Sequence, residues 1–152
     1  CIRDSHIIYN ETLRDRVCAV SDKTHYNEMN VLSMHALIGA YQPQGYEWVD
    51  ELNQVLAGNI EYFCNYVDEH FEGVSYSRPQ GTYMVFLDCT EWCREHGRDI
   101  QWLLDEGARV GVGYQDGRPF HGPCHIRVNL ALPLSRVREA CDRLDRYVFN
   151  AR

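Results

Sequence analysis

Several features that are common in other classes of protein are scarce in this 152-residue chain. No apolar run approaches the ~20 residues that a membrane-spanning helix needs, and no segment has the charge and apolar order of a secretory signal peptide. Lysine occurs once, so 14 of the 15 basic residues are arginines, and these are scattered along the chain. Together with a net charge of −7, this pattern predicts neither a membrane nor a nucleic-acid partner.

The cysteines number seven, which is odd, and most of them lie inside apolar patterns. Free cysteine in such a setting behaves as a small hydrophobic residue. Unpaired thiols are typical of a reducing compartment. We therefore predict cysteines in the core and a cytoplasmic location.

One group of cysteines raises the question of a metal site. Cys89, Cys93 and His96 have spacings of four and three residues, which a helix could place on one face as ligands. No fourth ligand has a matching spacing, so the sequence predicts structural cysteines and no metal. A zinc-bound domain is the alternative, which metal analysis of the purified chain would decide.

Helical periodicity dominates the first half of the sequence. A short strand is predicted over Ser5–Asn10, then the start of a helix, then a polar loop over Ser21–Asn30. Apolar residues spaced three to four apart predict a helix that ends near Pro43 and a longer one over Trp48–Phe71, which stops at Gly73. At ~1.5 Å per residue the long helix spans roughly 40 Å, so we expect it to connect two bodies.

From residue 74 onward, short strands alternate with turns and helices. The predicted order is strand, strand, helix, strand, strand, helix. Asp99 and Ser135 are the expected N-caps of the two helices, and Gly107 is expected to end the first of them. The residues expected on one face of the third strand are Val110, Val112 and Tyr114. This order predicts an α+β fold, in which helices cover one face of a mainly antiparallel sheet.

The last predicted strand, "CHIRVNLAL", carries a cation in its middle. Its alternating apolar residues are Ile126, Val128, Leu130 and Leu132. Because successive side chains of a strand point to opposite faces, Arg127 and Asn129 share the other face. One interpretation is a solvent-facing arginine on an open sheet. The other is a carboxylate clamp, because the planar fork of an arginine can donate two parallel hydrogen bonds to a carboxylate.

Three segments in this order, "RPQGTYMVFLDC", "GVGYQDGRPF" and "HIRVNLALP", resemble the C-terminal part of class I/II pyridoxal-phosphate aminotransferases of fold type I. Two earlier segments, "HYNEMNVLSMHALIGAY" and "GYEWVDELNQVLAGNIEYFCNYV", are similar to the cystathionine β-lyase-like C–S lyase subgroup. The resemblance implies a small C-terminal domain over 74–152, interdomain helices over 31–73 and a remnant of the large cofactor-binding domain over 1–30. The chain opens on Cys1 and runs at once into a strand-like stretch, so we expect a fragment that begins inside a domain.

The resemblance also implies roles for individual residues. The arginine of the family's R-x-N-x-A strand binds the α-carboxylate of the amino-acid substrate, and Arg127 matches it, with Asn129 beside it. Tyr83, after the PQGT turn, is implied to face the active-site cleft, with a plain core aromatic as the alternative. Tyr26 lies in a loop that approaches the cofactor or the dimer partner in similar proteins, with a merely solvated loop as the alternative.

The chemistry of this family needs a lysine that forms a Schiff base with pyridoxal 5'-phosphate. Lys23, the single lysine, lies after the strand-like stretch and outside the Ser/Thr-rich turn that holds the family's lysine. We therefore expect the Schiff-base lysine upstream of Cys1, and an isolated chain that is inactive. The parent protein is expected to be a homodimer that performs transamination or β-elimination on an amino acid. A non-enzymatic amino-acid-binding or regulatory module is the alternative from another class.

Overall fold

A computed structural model describes residues 7–25 and 30–151 of the chain. The chain divides into two compact units, Cys1–Glu51 and Leu52–Arg152, which are described separately. The predicted long helix is one continuous element, α3 at Pro43–His70, which begins in the first unit and continues into the second. Its first residue is proline, which has no backbone N–H to donate and is therefore tolerated at a helix start.

The first unit contains α1 at Glu11–Thr24 and α2 at Val31–Ala40. Asn10 and Asn30 cap them, and each side chain accepts a hydrogen bond from the backbone amide three residues on, at 2.9 and 2.8 Å. The helix predicted to end near Pro43 is confirmed as α2. No residue of α1 or α2 is buried.

Two predictions for this unit are wrong within the described residues. Ile7–Asn10 forms no strand, and the described part of the first unit offers no second strand with which its backbone groups could pair. Ser21–Thr24, predicted as loop, form the last turn of α1. The rest of these two segments, at 5–6 and 26–29, lies outside the described residues.

The sheet lies in the second unit and has four strands, β1 at Ser75–Tyr76, β2 at Met84–Asp88, β3 at Gln115–Asp116 and β4 at His125–Asn129. Their order in the sheet is β1-β2-β4-β3, and every pairing is antiparallel. The predicted α+β fold with a mainly antiparallel sheet is confirmed.

One face of the sheet forms the core. Cross-strand pairs of β2 and β4 supply four buried residues, Val85 opposite Val128 and Leu87 opposite Ile126. The second unit also contains α4 at Thr90–His96, α5 at Ile100–Arg109 and α6 at Leu134–Leu144, and one π-helical turn follows α6 at Asp145–Phe149. The buried residues that the helical segments add to the same cluster are Phe63, Cys64, Val67, Trp92, Cys93, Ile100, Leu103, Val137, Cys141, Leu144, Val148 and Phe149.

Gly73 is confirmed as the stop after α3, since its φ of +79° lies in the left-handed region that favours glycine. Gly107 does not end α5. It is buried inside that helix, and an added Cβ would lie 2.5 Å from Cζ of the Tyr114 ring. The glycine therefore provides space for an aromatic ring, and the Tyr114 hydroxyl donates a hydrogen bond to the backbone carbonyl of Leu103.

Two further predictions for the second unit need correction, and one helix was missed. The strand expected through Val110, Val112 and Tyr114 is wrong at these three residues, because α5 runs to Arg109 and the strand that pairs with β4 here begins only at Gln115. Ser135 does not cap α6, which begins one residue earlier. The helix α4 was not predicted. Asp99 is confirmed as an N-cap, since its side chain accepts from the Trp102 amide at 2.8 Å.

Candidate carboxylate-binding site

The face of the sheet opposite the core carries the side chains that sequence alternation assigns to it. His125, Arg127 and Asn129 of β4 lie on this open face, while Ile126 and Val128 are buried. The predicted alternation is therefore confirmed over β4 and at the buried Leu130, but it is wrong at Leu132, which lies beyond the strand and is 47% exposed. Two sheet neighbours flank Arg127 directly, Phe86 of β2 and Gln115 of β3, and both are neutral.

Arg127 is half-buried, and its guanidinium has no carboxylate partner among the described residues. The other half-buried arginine in the described part of the chain, Arg143, does pair with an acid, Glu139, at 2.5 Å. The Arg127 guanidinium faces an aromatic ring, that of Phe120, whose centroid lies 4.5 Å from the Arg127 Cζ. A cation held in the middle of a sheet by neutral neighbours keeps its donors available for an anion.

Phe120 ends a short 3-10 turn at Arg118–Phe120, which hydrogen bonds and an ion pair hold in place. The Phe120 amide donates to the Gly117 carbonyl at 2.8 Å. Asp116 of β3 accepts from the Arg118 amide at 2.9 Å and lies 2.7 Å from an Arg118 guanidinium nitrogen. The same guanidinium donates to the Gln101 side chain of α5 at 2.9 Å. These contacts join the turn to β3 and α5.

Two glycines let this turn lie against the open face. The Gly117 amide donates to the His125 carbonyl at 2.9 Å, so the chain runs directly beside β4. At Gly122 an added Cβ would lie 2.5 Å from the Phe86 ring and 2.6 Å from Cγ of His125. Both distances are too short for a real side chain, so only glycine allows this approach.

His125 and Asp88 form a second polar group on the open face. Nε2 of His125 lies 3.8 Å from the Asp88 carboxylate, and its ring lies 4.6 Å from that of Phe86. Its other nitrogen, Nδ1, is buried and has no hydrogen-bond partner within the described residues. Burial acts to raise the pKa of Asp88, but hydrogen bonds from the Thr90 hydroxyl and amide, and the charge of His125, hold it below the ordinary value.

The other predicted substrate-side residues are less closely tied to Arg127. The Asn129 side-chain oxygen accepts from the Ala131 amide at 2.8 Å, so its carbonyl shapes the exit of β4. Tyr83 is 40% exposed, which excludes a buried core aromatic, and its hydroxyl has no partner in the described ranges. Tyr26 lies outside the described residues. Phe120 was not predicted, because no local spacing signals a ring that contacts a cation on another element.

The remaining candidates are placed as follows. Lys23 lies exposed in the last turn of α1. Cys89 and Cys93 are buried in the core, whereas the exposed His96 stacks on Trp92 with a centroid distance of 4.3 Å. Within residues 7–25 and 30–151, no cluster of His, Cys, Asp and Glu side chains could hold a metal ion. None of the described helices is both long enough and apolar enough to span a membrane.

Comparison with curated proteins shows which sequences this chain resembles. No family model matches the chain. A protein of Mycobacterium leprae named "Putative cystathionine beta-lyase" is 34% identical over 124 residues, which is 71% of this chain and 30% of the relative. An aspartate aminotransferase of a Bacillus species is 27% identical over 142 residues, 88% of this chain and 35% of the relative. The chain therefore spans about a third of the curated relatives that it matches.

The solved structures agree on the fold. The pyridoxal-phosphate-bound C–S lyase of Staphylococcus hominis superposes with a TM-score of 0.75 at 23% identity, covering 91% of this chain and 36% of the lyase. At this identity the likeness concerns the fold alone.

Proposed function

The chain has the fold of the small C-terminal domain of fold type I pyridoxal-phosphate enzymes, and from this premise we propose that it supplies the substrate-carboxylate site of such an enzyme. The parent protein acts on an amino acid as a C–S β-lyase or an aminotransferase. Arg127 binds the α-carboxylate, with Asn129 and Tyr83 on the substrate side. The relatives named as cystathionine β-lyases favour the lyase.

One observation carries this proposal: a half-buried arginine in the middle of a strand has no carboxylate partner among the described residues. Holding a cation away from water without a counter-ion costs free energy. A ligand carboxylate would offset that cost and would meet the guanidinium fork with two charge-assisted hydrogen bonds. Because β4 is paired on both sides, by β2 and by β3, the arginine would hold the ligand in one orientation.

The residues present fit the substrate side of a pyridoxal-phosphate site better than the cofactor side. When bound, pyridoxal phosphate supplies an electron sink for bonds at the amino acid's α-carbon. Arg127 orients the amino acid that reacts there. Lys23, exposed at the end of α1, is poorly suited to bind the cofactor's aldehyde, so we place the Schiff-base lysine in another part of the parent. The isolated chain is then inactive, and the complete enzyme is a cytoplasmic homodimer.

The test is Arg127→Ala in the full-length protein, with Arg98→Ala as the matched control. Arg98 also faces an aromatic ring, that of Trp102 at 4.8 Å, but it is exposed and lies outside the open face. Removing one member of a desolvated charge pair costs about 2–5 kcal/mol, so we expect a correspondingly large fall in kcat/KM for Arg127→Ala. Unchanged kcat/KM in that variant would overturn the proposal. Amino-acid binding without any dependence on pyridoxal phosphate would favour a binding module instead.

A further inference from the structure

We propose that Phe120 is a positioning residue, which holds the Arg127 guanidinium in place for a carboxylate while leaving its hydrogen-bond donors free. This inference rests on the function proposed above, because it concerns the same site. It assigns a role to the turn between β3 and β4, which otherwise only connects two strands.

The Phe120 ring and the Arg127 guanidinium are in direct cation–π contact. The Arg127 Cζ lies 4.5 Å from the Phe120 ring centroid, within the range in which a ring attracts a cation. An acidic side chain in the same place would hold the guanidinium more strongly, but it would also occupy the fork that the substrate needs. A phenyl ring has no conventional acceptor atom, so it attracts the cation and leaves the fork available.

The turn that carries the Phe120 ring is itself held in place by contacts with neighbouring elements. Pro119 fixes the backbone before Phe120, and the Arg118 side chain bonds to Asp116 and Gln101 on either side. The hydrogen bond from the Arg118 amide, aided by the Arg118 side chain, holds the pKa of Asp116 below its ordinary value against the opposing effect of burial, so Asp116 remains a carboxylate near neutral pH. A ring on a loop without such contacts would restrain the Arg127 guanidinium less.

Comparison with the other cation–ring contacts shows what is specific to this pair. The arginines that face Trp102, Tyr62 and Tyr147 are all exposed, and two of them lie on or next to the helix of their ring. Arg127 is half-buried, and its ring comes from a different element, seven residues earlier. Only this contact lies on the open face of the sheet in the described part of the chain.

The experiment measures steady-state kinetics of the full-length holoenzyme with Phe120→Leu and Phe120→Tyr. Leucine keeps apolar bulk but has no ring, so we expect KM for the amino acid to rise by about three- to thirty-fold, which is what a cation–π contact is worth, with a smaller change in kcat. Tyrosine keeps the ring face and should restore KM. Since the Phe120 side chain is 46% exposed, neither change removes a core residue.

A double variant separates positioning from general packing. If Phe120 acts through Arg127, adding Phe120→Leu to Arg127→Ala should cause no further loss of kcat/KM, since the guanidinium that the ring holds is already gone. Equal losses in both backgrounds, or an unchanged KM in Phe120→Leu alone, would overturn this inference and leave the proposed function intact. A silent Arg127→Ala would instead overturn the proposed function itself.

Discussion

The Asn59 side-chain amide of α3 donates to two backbone carbonyls that follow β4, those of Leu130 at 2.9 Å and Leu132 at 2.8 Å. Asn59 is 1% exposed and is the one fully buried polar side chain in the described residues. The two hydrogen bonds join the long helix to the exit of the strand that carries Arg127. Because β4 ends at Asn129, this amide fixes the chain just beyond the candidate site.

We expect Asn59→Ala to lower the free energy of unfolding by about 2–4 kcal/mol, because it leaves two carbonyls without their donor and removes buried contacts. The matched control is Asn65→Ala, which changes the same residue type at an exposed position of the same helix. That variant should be neutral or slightly stabilising, since alanine has the higher helix propensity. Urea denaturation of the two variants beside the unsubstituted protein measures both values, and equal midpoints would contradict the prediction.

The hydrogen bonds of Asn59 show where sequence reasoning about the fold stops. The three-to-four spacing through Phe63 and Val67 predicts α3 and its buried face, because burial repeats along one side of a helix. It also places Asn59, four residues before Phe63, on that face, but it cannot predict the partners of the Asn59 amide, which lie 71 and 73 residues later in the chain. The same limit applies to Val110 and Val112, whose alternation favoured a strand although their burial comes from packing beside the end of α5.

Gly122→Ala should destabilise the turn between β3 and β4. The added Cβ would lie 2.5 Å from the Phe86 ring, so ring and turn must separate. We expect a loss of about 1–3 kcal/mol in the free energy of unfolding, as for other overpacked sites. Gly58→Ala is the control of opposite sign, because its Cβ meets no atom within 4 Å in the interior of α3. It should gain about 0.5–1 kcal/mol, and a Gly122→Ala midpoint as high as that of Gly58→Ala would show that the turn does not lie against Phe86.

The cysteines should differ sharply in their reactivity. Burial raises the pKa of the Cys141 thiol to about 12 and also raises that of Cys89. The thiolate is the reactive form, so a raised pKa and burial both protect these side chains, whereas Cys18 is exposed. Brief alkylation with iodoacetamide near neutral pH, followed by peptide mass mapping, should label Cys18 and leave Cys89 and Cys141 unlabelled until the protein is unfolded. Rapid labelling of Cys141 in the folded protein would contradict the buried placement.

The candidate site was predictable only in part. Period-two alternation places Arg127 and Asn129 on one face from the sequence alone, because the geometry of a strand requires it. The partners of Arg127 were not predictable in this way. Phe120 reaches the guanidinium through a turn whose shape depends on Gly117, Gly122 and the Arg118–Asp116 contact.

Asp88 should contribute to stability in a pH-dependent way. Its pKa is lowered in the folded protein, because the donors on Thr90 and the charge of His125 outweigh the effect of burial. The unfolded chain, with a carboxyl pKa of about 3.9, therefore binds more protons in mild acid. The stabilisation is fully present above that value and is lost as pH falls through the folded pKa. Since the Asp88 side chain is 40% exposed, solvent screening keeps the contribution below about 1 kcal/mol.

Asp88→Asn isolates this effect, because an amide oxygen still accepts from Thr90 at the start of α4 but does not titrate. We expect the unsubstituted protein to be the more stable one near pH 7, and the gap between the two to close as the pH falls below about 4. Thr90→Val removes the hydroxyl donor, so the gap near pH 7 should be smaller in that background. Thermal unfolding from pH 7 down to pH 3 measures all four proteins, and a gap that stays constant across this range would show that Asp88 is not held as a carboxylate by these donors.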